Sequence, residues 1–79
     1  MKESLEFDGV YEKEDEVDEF GLYWTWERFI DKTGKIVLKH HVSSDLFPKE
    51  DKYFETATNA KKYFMKLKAK SKKYVKRNG

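Results

Sequence analysis

The chain has 79 residues, of which 38% are hydrophobic, 16% aromatic and 41% charged, and its net charge is +2. A chain of this length forms one small domain, here residues 1–79, with enough apolar material for one core, which excludes a multidomain enzyme and a wholly disordered chain. It contains no cysteine, so disulfides, thiol nucleophiles and thiolate zinc sites are excluded.

The N-terminal region carries no sign of a targeting segment. No apolar run of signal-peptide length follows Met1, and no stretch approaches the roughly 20 apolar residues of a membrane span. We therefore expect a cytoplasmic protein that has no membrane partner.

The first predicted element is a short strand over residues 5–11. Leu5, Phe7 and Tyr11 alternate there with acidic residues, which is the period of a half-buried strand. Residues 12–19 are mostly acidic. Because like charges repel too strongly to be buried together, we predict a solvated acidic loop at residues 12–19.

A long β-hairpin is predicted next, with strands at residues 20–30 and 35–43. The even-numbered positions of both strands form the even face, which is mostly apolar and is the predicted core face, and the odd-numbered positions form the odd face. A one-residue slip would turn every core side chain to water, so the register places Ile30 opposite Ile36. It also predicts a cross-strand ion pair between Glu27 and Lys39.

The last third of the chain predicts a connection at residues 44–55 and a helix at residues 56–76. The connection holds the single proline, Pro48, and residues 53–54 can add a very short fourth strand. Beyond the connection, apolar residues recur three and four apart, as in an amphipathic helix, and Thr56 or Thr58 can cap it. The predicted fold is α+β: a small antiparallel sheet of three or four strands with a long β-hairpin, and one C-terminal amphipathic helix packed on one face.

The predicted helix carries the strongest functional signal. From residue 57 onward the chain has nine lysines and arginines and no acidic residue. Such a surface can neutralise phosphates and bind through counterion release, so we predict a nucleic-acid site there; a hydrated face that residues 12–19 screen is the alternative. At about 100° per residue, the predicted site occupies nearly the whole solvent side of the helix and consists of Lys61, Lys62, Lys66, Lys70, Lys72, Lys73, Lys76 and Arg77.

We expect this site to discriminate little between base sequences. Base edges are read mainly by Arg, Asn and Gln side chains, whose planar groups make paired hydrogen bonds. Of these residue types, the predicted helix contains only Asn59, and Arg77 directly follows its last residue. The chain has no glutamine. Lysine acts as a point charge.

A second functional hypothesis uses the odd face of the hairpin. Tyr23, Phe29, Lys39 and His41 lie on it, and an uncovered face of this kind offers aromatic anchors to a protein partner. The protein would then be a small regulator or inhibitor that binds a host protein or complex, as bacteriophage-encoded proteins of this size do. The alternative is a half-exposed face, or one buried under the N-terminal segment or residues 46–47. An acidic protein is a further partner that the lysines would suit.

No motif predicts catalysis, a cofactor or a metal site. The sequence lacks a Gly-rich phosphate loop and a nucleophile elbow. His40 and His41 point to opposite sides of a strand and cannot grip one metal together, whereas Trp24 and Trp26 share the parity of the core side chains. We therefore expect a non-enzymatic binding protein.

Overall fold

One antiparallel sheet with a single α-helix across part of it makes up the protein. The computed structural model describes residues 5–78. The predicted α+β class is confirmed, and the sheet has four strands in the order β1-β2-β3-β4. Two short 3₁₀ helices, Asp18–Phe20 and Pro48–Glu50, lie in the connections. The main elements are β1 (Glu6–Val17), β2 (Leu22–Ile30), β3 (Ile36–Ser44), β4 (Lys52–Phe54) and the helix α1 (Ala57–Asn78).

β1 extends well beyond its predicted end, and the prediction of an acidic loop at residues 12–19 is wrong. Residues 12–17 continue the strand, and residues 18–20 form the first 3₁₀ helix. β1 is an edge strand with mostly exposed side chains, so its carboxylates stay in water while its backbone pairs with β2. Three bulges interrupt that pairing, and bulges are a common feature of edge strands. Charge repulsion keeps a segment out of a core but not out of a sheet edge.

β2 and β3 pair in the predicted register. Ile30 lies opposite Ile36, and Trp24 lies opposite Val42. The turn between them is fixed by Asp31, whose Oδ1 accepts the backbone N–H groups of Thr33 and Lys35 at 2.9 Å each. Gly34 takes a positive φ of 86°, which few other residues adopt without strain.

The core forms where α1 packs on the even face. The helix starts after Thr56, whose Oγ1 accepts the Asn59 N–H at 3.3 Å, as a capping residue does. Ser71 is the one fully buried polar side chain on the packed side of α1. The buried apolar cluster consists of Phe20, Leu22, Trp24, Val42, Ala60, Phe64 and Leu67.

The even face is buried only in part, so the prediction that all of it is core is wrong at one end. Ile36 and Leu38 are 44% and 39% exposed, whereas Val42 is fully buried. α1 contacts β4, β3, β2 and the first 3₁₀ helix, so it crosses the strands instead of following them. A helix about 10 Å wide then covers only a few residues of each strand. We call residues 20–26 and 40–44 the near half of the hairpin and residues 27–39 the far half.

Candidate nucleic-acid interface

The residues predicted to bind nucleic acid share one exposed surface of α1, which we call the basic face. Each of them is exposed to solvent. Lys68, which was not included in the prediction, is half-buried and lines a groove with Glu19 and Met65. The basic face consists of Lys61, Lys62, Lys66, Lys70, Lys72, Lys73, Lys76 and Arg77.

Little of this positive charge is neutralised within the protein. Among residues 5–77, one ion pair involves the basic face, and it joins Lys70 to Glu50. The hydrogen bond from Lys70 lowers the pKa of the Glu50 carboxyl, with a smaller contribution from the charge of Lys66. The other cations of the basic face therefore remain available to an external anion.

The acidic residues of β1 lie away from the basic face. In the sheet order, β1 is the edge strand opposite β4, which leads directly into α1. Lys13 pairs with Glu16 on β1 itself. Glu19 comes close to Lys68 and Lys72 by lining the same groove, but within the described range it forms no ion pair with either. Residues 12–19 thus do not screen the basic face through ion pairs.

The C-terminal half of the basic face borders a cleft with an aromatic floor. The Phe47 and Tyr74 rings meet there edge to face, with centroids 5.4 Å apart and an interplanar angle of 75°. The Lys70 Nζ atom lies 4.5 Å from the Phe47 centroid. We call it the Phe47–Tyr74 cleft; its volume is about 460 Å³ and it is lined by Phe47, Lys70, Lys73, Tyr74 and Arg77.

Hydrogen bonds fix the loop that carries Phe47. The Phe47 N–H donates to Ser44 Oγ at 3.1 Å, and the Phe47 carbonyl oxygen accepts the Glu50 N–H at 2.9 Å. From α1, the Tyr63 hydroxyl donates to the Glu50 carbonyl oxygen at 2.6 Å. Burial, reinforced by the Glu50 carboxylate, raises the pKa of Tyr63 and keeps that hydroxyl a donor. The loop is tied to the helix, so the cleft exists before any ligand arrives.

A second, smaller groove flanks the N-terminal half of the basic face. Its volume is about 260 Å³, and its aromatic members Phe54 and Tyr63 lie 5.2 Å apart between ring centroids. Lys62 and Lys66 line the same groove. Aromatic rings and lysines therefore occur side by side at two places along α1.

The residues of the second hypothesis are half-buried, as expected for an odd face that neighbouring segments partly cover. Phe29 contacts Phe7 and Tyr53 edge to face, at 5.7 and 5.8 Å between centroids. His41 stacks on Tyr53 at 4.3 Å. β1 and β4 supply these contacting rings, so the flanking strands cover most of the surface that the hairpin alone would expose.

The predicted Glu27–Lys39 ion pair does not form within residues 5–78, although the two residues are cross-strand partners. Glu27 is only 7% exposed; its carboxylate accepts the Tyr53 hydroxyl at 2.9 Å and faces His41 Nδ1 at 2.6 Å. Burial, together with the hydrogen bond to Glu27, raises the pKa of Tyr53 to about 12. Lys39 instead pairs with Glu55 at 3.5 Å. Tyr53 of β4 and Glu55 just beyond it supply partners that the hairpin pattern alone could not show.

The two tryptophans of the even face both point their indole N–H groups at His40. Trp26 Nε1 lies 2.6 Å from Nε2 of His40, and Trp24 Nε1 lies 3.1 Å from Nδ1. A neutral imidazole has one lone-pair nitrogen and can accept only one of them; the shorter distance assigns that lone pair to Nε2. Burial lowers the pKa of His40. This cluster belongs to the margin of the core and does not form a ligand cage.

Sequence reasoning identified the basic face but missed its aromatic component. Tyr74 falls in the periodic stripe of α1, yet it is 45% exposed. Phe47 lies in the connection, and the path of that loop is not encoded in any local pattern. The one sequence signal for an aromatic residue beside the basic face is that Tyr74 directly follows Lys73 in a lysine-rich helix.

Within residues 5–78 no helix is long and apolar enough to cross a membrane. The same residues contain no group of three His, Asp or Glu side chains placed to hold a metal ion. No protein-family model, no curated protein and no solved structure matches this chain.

Proposed function

We propose that the protein is a cytoplasmic, non-enzymatic binding protein whose basic face engages a polyanion, namely nucleic acid with little sequence specificity. The observation that carries this proposal is the uncompensated charge of α1. Its cations are exposed, and in the part of the chain that the structure describes only Lys70 has a carboxylate partner.

Counterion release explains how such a surface binds. Each phosphate that a lysine neutralises frees a condensed cation, so affinity rises with the number of contacts and falls with salt. For a single strand that contacts four phosphates, the affinity should fall about 50-fold between roughly 50 and 200 mM salt. Lysine makes few paired hydrogen bonds to base edges, which accounts for the low specificity.

The proposal is tested by fluorescence anisotropy of labelled single- and double-stranded DNA and RNA at about 50 and 200 mM salt, the range in which phosphate binding weakens steeply. The double variant Lys62→Glu/Lys66→Glu should lower affinity at least tenfold at low salt. Both lysines are exposed and unpaired within the described residues, so the fold should tolerate the change.

A matched control is Lys32→Glu/Lys35→Glu at the turn of the hairpin. It alters the net charge by the same amount, and both side chains are exposed, but they lie in the far half. This control should change affinity by less than threefold. If both double variants weaken binding equally, net charge and not the basic face accounts for the affinity. Absence of binding by the wild type at low salt would refute the proposal.

The far half of the hairpin favours a second candidate, a small regulator that docks on a protein. Ile36 and Leu38 are both exposed there on the even face, whereas the odd-face residues of the original hypothesis are half-buried. Exposed apolar surface concentrated at one end is typical of a protein contact. A protein captured by the wild type and by Lys62→Glu/Lys66→Glu, but lost with Leu38→Asp, would support this candidate over the first.

A further inference from the structure

We infer that the Phe47–Tyr74 cleft stacks an unpaired nucleobase, so that the polyanion bound by the basic face is a single strand. This inference rests on the proposed function, since the same helix supplies the phosphate contacts. It goes further by assigning the substrate class and the side chains that select it.

The cleft has the size and the chemistry that a nucleotide requires. Its volume of about 460 Å³ lies within the range of roughly 300–1,000 Å³ found for small-molecule sites. Its two rings offer π-faces to a base, and two of its lining cations, Lys73 and Arg77, suit the phosphates on either side. A purely apolar ligand would leave those cations unused.

The geometry assigns stacking to Tyr74 and a supporting role to Phe47. Lys70 already lies over the Phe47 ring at 4.5 Å, and its ammonium group is paired with Glu50. Tyr74 is 45% exposed and meets Phe47 edge to face, which fixes the plane in which a base would stack. Tyr74 is therefore the ring that presents accessible surface to the ligand.

Lys73 and Arg77 are placed to hold the backbone next to that base. They are four residues apart on α1, which is about 6 Å along the helix axis, and both line the cleft. The Arg77 guanidinium can bind a phosphate with two parallel hydrogen bonds. A base on Tyr74 and phosphates on these two cations together describe one nucleotide of a strand.

Only a single strand can use this arrangement without a penalty. In a duplex the bases are stacked and paired, and one must be flipped out before an aromatic ring can stack on its face. Stacking of one base on an aromatic side chain raises affinity roughly 5- to 150-fold. The duplex gains only the phosphate contacts, so the cleft discriminates by strandedness and not by sequence.

The test compares two labelled oligonucleotides of equal charge: a 12-nucleotide thymidine strand and an abasic strand of the same length. Anisotropy titrations at low salt should show that the wild type binds the thymidine strand at least fivefold more tightly. Tyr74→Ala should bind the thymidine strand more weakly than the wild type does, which abolishes the difference in affinity between the two strands. The affinity of this variant for the abasic strand and for a 12-base-pair duplex should equal that of the wild type. Tyr74→Phe should retain the difference, because the ring remains.

The control variant is Tyr11→Ala, which removes a tyrosine of similar exposure, 54%, from β1 outside the cleft. It should preserve the preference for the thymidine strand, and circular dichroism with thermal melting verifies that each variant is folded. Equal, salt-dependent binding of the thymidine and abasic strands by the wild type would overturn base stacking while leaving the polyanion proposal intact. A loss in Tyr74→Ala that is equal for both strands would overturn it too, and failure to bind either strand at low salt would refute both proposals.

Discussion

The near and far halves of the hairpin follow the same alternation of side chains, yet the even face is largely buried only in the near half. Leu22 and Val42 of the near half are fully inaccessible beneath α1, whereas Ile36 and Leu38 of the far half stand on the same even face and are exposed. The strands themselves do not differ in pattern. Alternation therefore determines which face of a sheet is available for burial, and the covering element determines how much of that face is used.

The far half is held by interactions other than a core. Its Phe29 ring contacts Phe7 of β1 and Tyr53 of β4 edge to face, and its Arg28 pairs with Asp8 of β1 at 3.2 Å. The radius of gyration is 14.1 Å, against about 12 Å for a compact chain of this length. Hydrophobic stabilisation is therefore concentrated in the near half, and the far half projects as accessible surface.

The largest expected effect tests this concentration directly. Phe64 is 1% exposed and packs against Trp24 at 5.8 Å between ring centroids. Phe64→Ala should lower the free energy of unfolding by about 3–5 kcal/mol, the range for a buried phenylalanine that leaves a cavity. Leu38→Ala in the far half should cost less than about 1 kcal/mol, because little apolar area is lost from the interior.

Urea denaturation monitored by tryptophan fluorescence measures both losses in the free energy of unfolding. The ratio of the two losses compares the near half with the far half. The two substitutions remove apolar side chains from opposite sides of the boundary between the halves. Similar losses for both variants would show that the far half carries its own share of the core. A small loss for Phe64→Ala would show that α1 contributes less than its packing indicates.

The sequence was sufficient to predict the hairpin but not how α1 packs across it. The register from Ile30 opposite Ile36 to Trp24 opposite Val42 could be predicted, because a slip by one residue would have exposed every apolar side chain of one strand. The direction in which α1 crosses the sheet could not, since the helical stripe shows that one side is buried but not how many strand residues lie beneath it. The acidic strand was missed because edge strands need no apolar alternation.

The candidate site, too, could be predicted only in part. The basic face follows from spacing along one helix and could be predicted. The Phe47–Tyr74 cleft joins a loop residue to a helix residue, and the buried carboxylate of Glu27 accepts a hydrogen bond from Tyr53 of β4. Such contacts depend on tertiary placement, and local periodicity carries no information about them.

A smaller effect is expected at the boundary of the two halves, where His40 receives the indole N–H groups. Protonation would place an N–H on both ring nitrogens, and each would then face a donor. Burial lowers the pKa of His40, with Glu14 of β1 opposing it, so the folded state binds the proton less readily than the unfolded chain. The stabilisation is present above the unfolded value of about 6.5 and is lost as pH falls below it.

The expected loss is on the order of 1 kcal/mol, the contribution of one hydrogen bond, which corresponds to a fall in melting temperature of about 4–8 °C. His40→Gln retains an acceptor but does not titrate, so its melting temperature should depend less on pH between about 7.5 and 5. His41 is present in both proteins, so the comparison isolates the substitution at residue 40. Identical pH profiles for the two proteins would contradict this role of His40.

The smallest expected effect is a gain on the packed side of α1, which covers the near half. Ser71 is fully buried on α1, and its hydroxyl has no hydrogen-bond partner among the described residues. Ser71→Ala removes an unsatisfied polar group and introduces the best helix former, so stability should rise by about 1 kcal/mol. Lys72→Ala, at an exposed neighbouring position, changes helix propensity alone and should yield at most about 0.3 kcal/mol.

The two urea midpoints separate the contribution of burial from that of propensity. If Ser71→Ala is more stable than Lys72→Ala, the buried hydroxyl of Ser71 destabilises the wild type. The apolar contacts between α1 and the near half then offset that cost. If Ser71→Ala is instead less stable than the wild type, the hydroxyl is bonded in solution, and the packing of α1 against the sheet must differ locally from the arrangement described above.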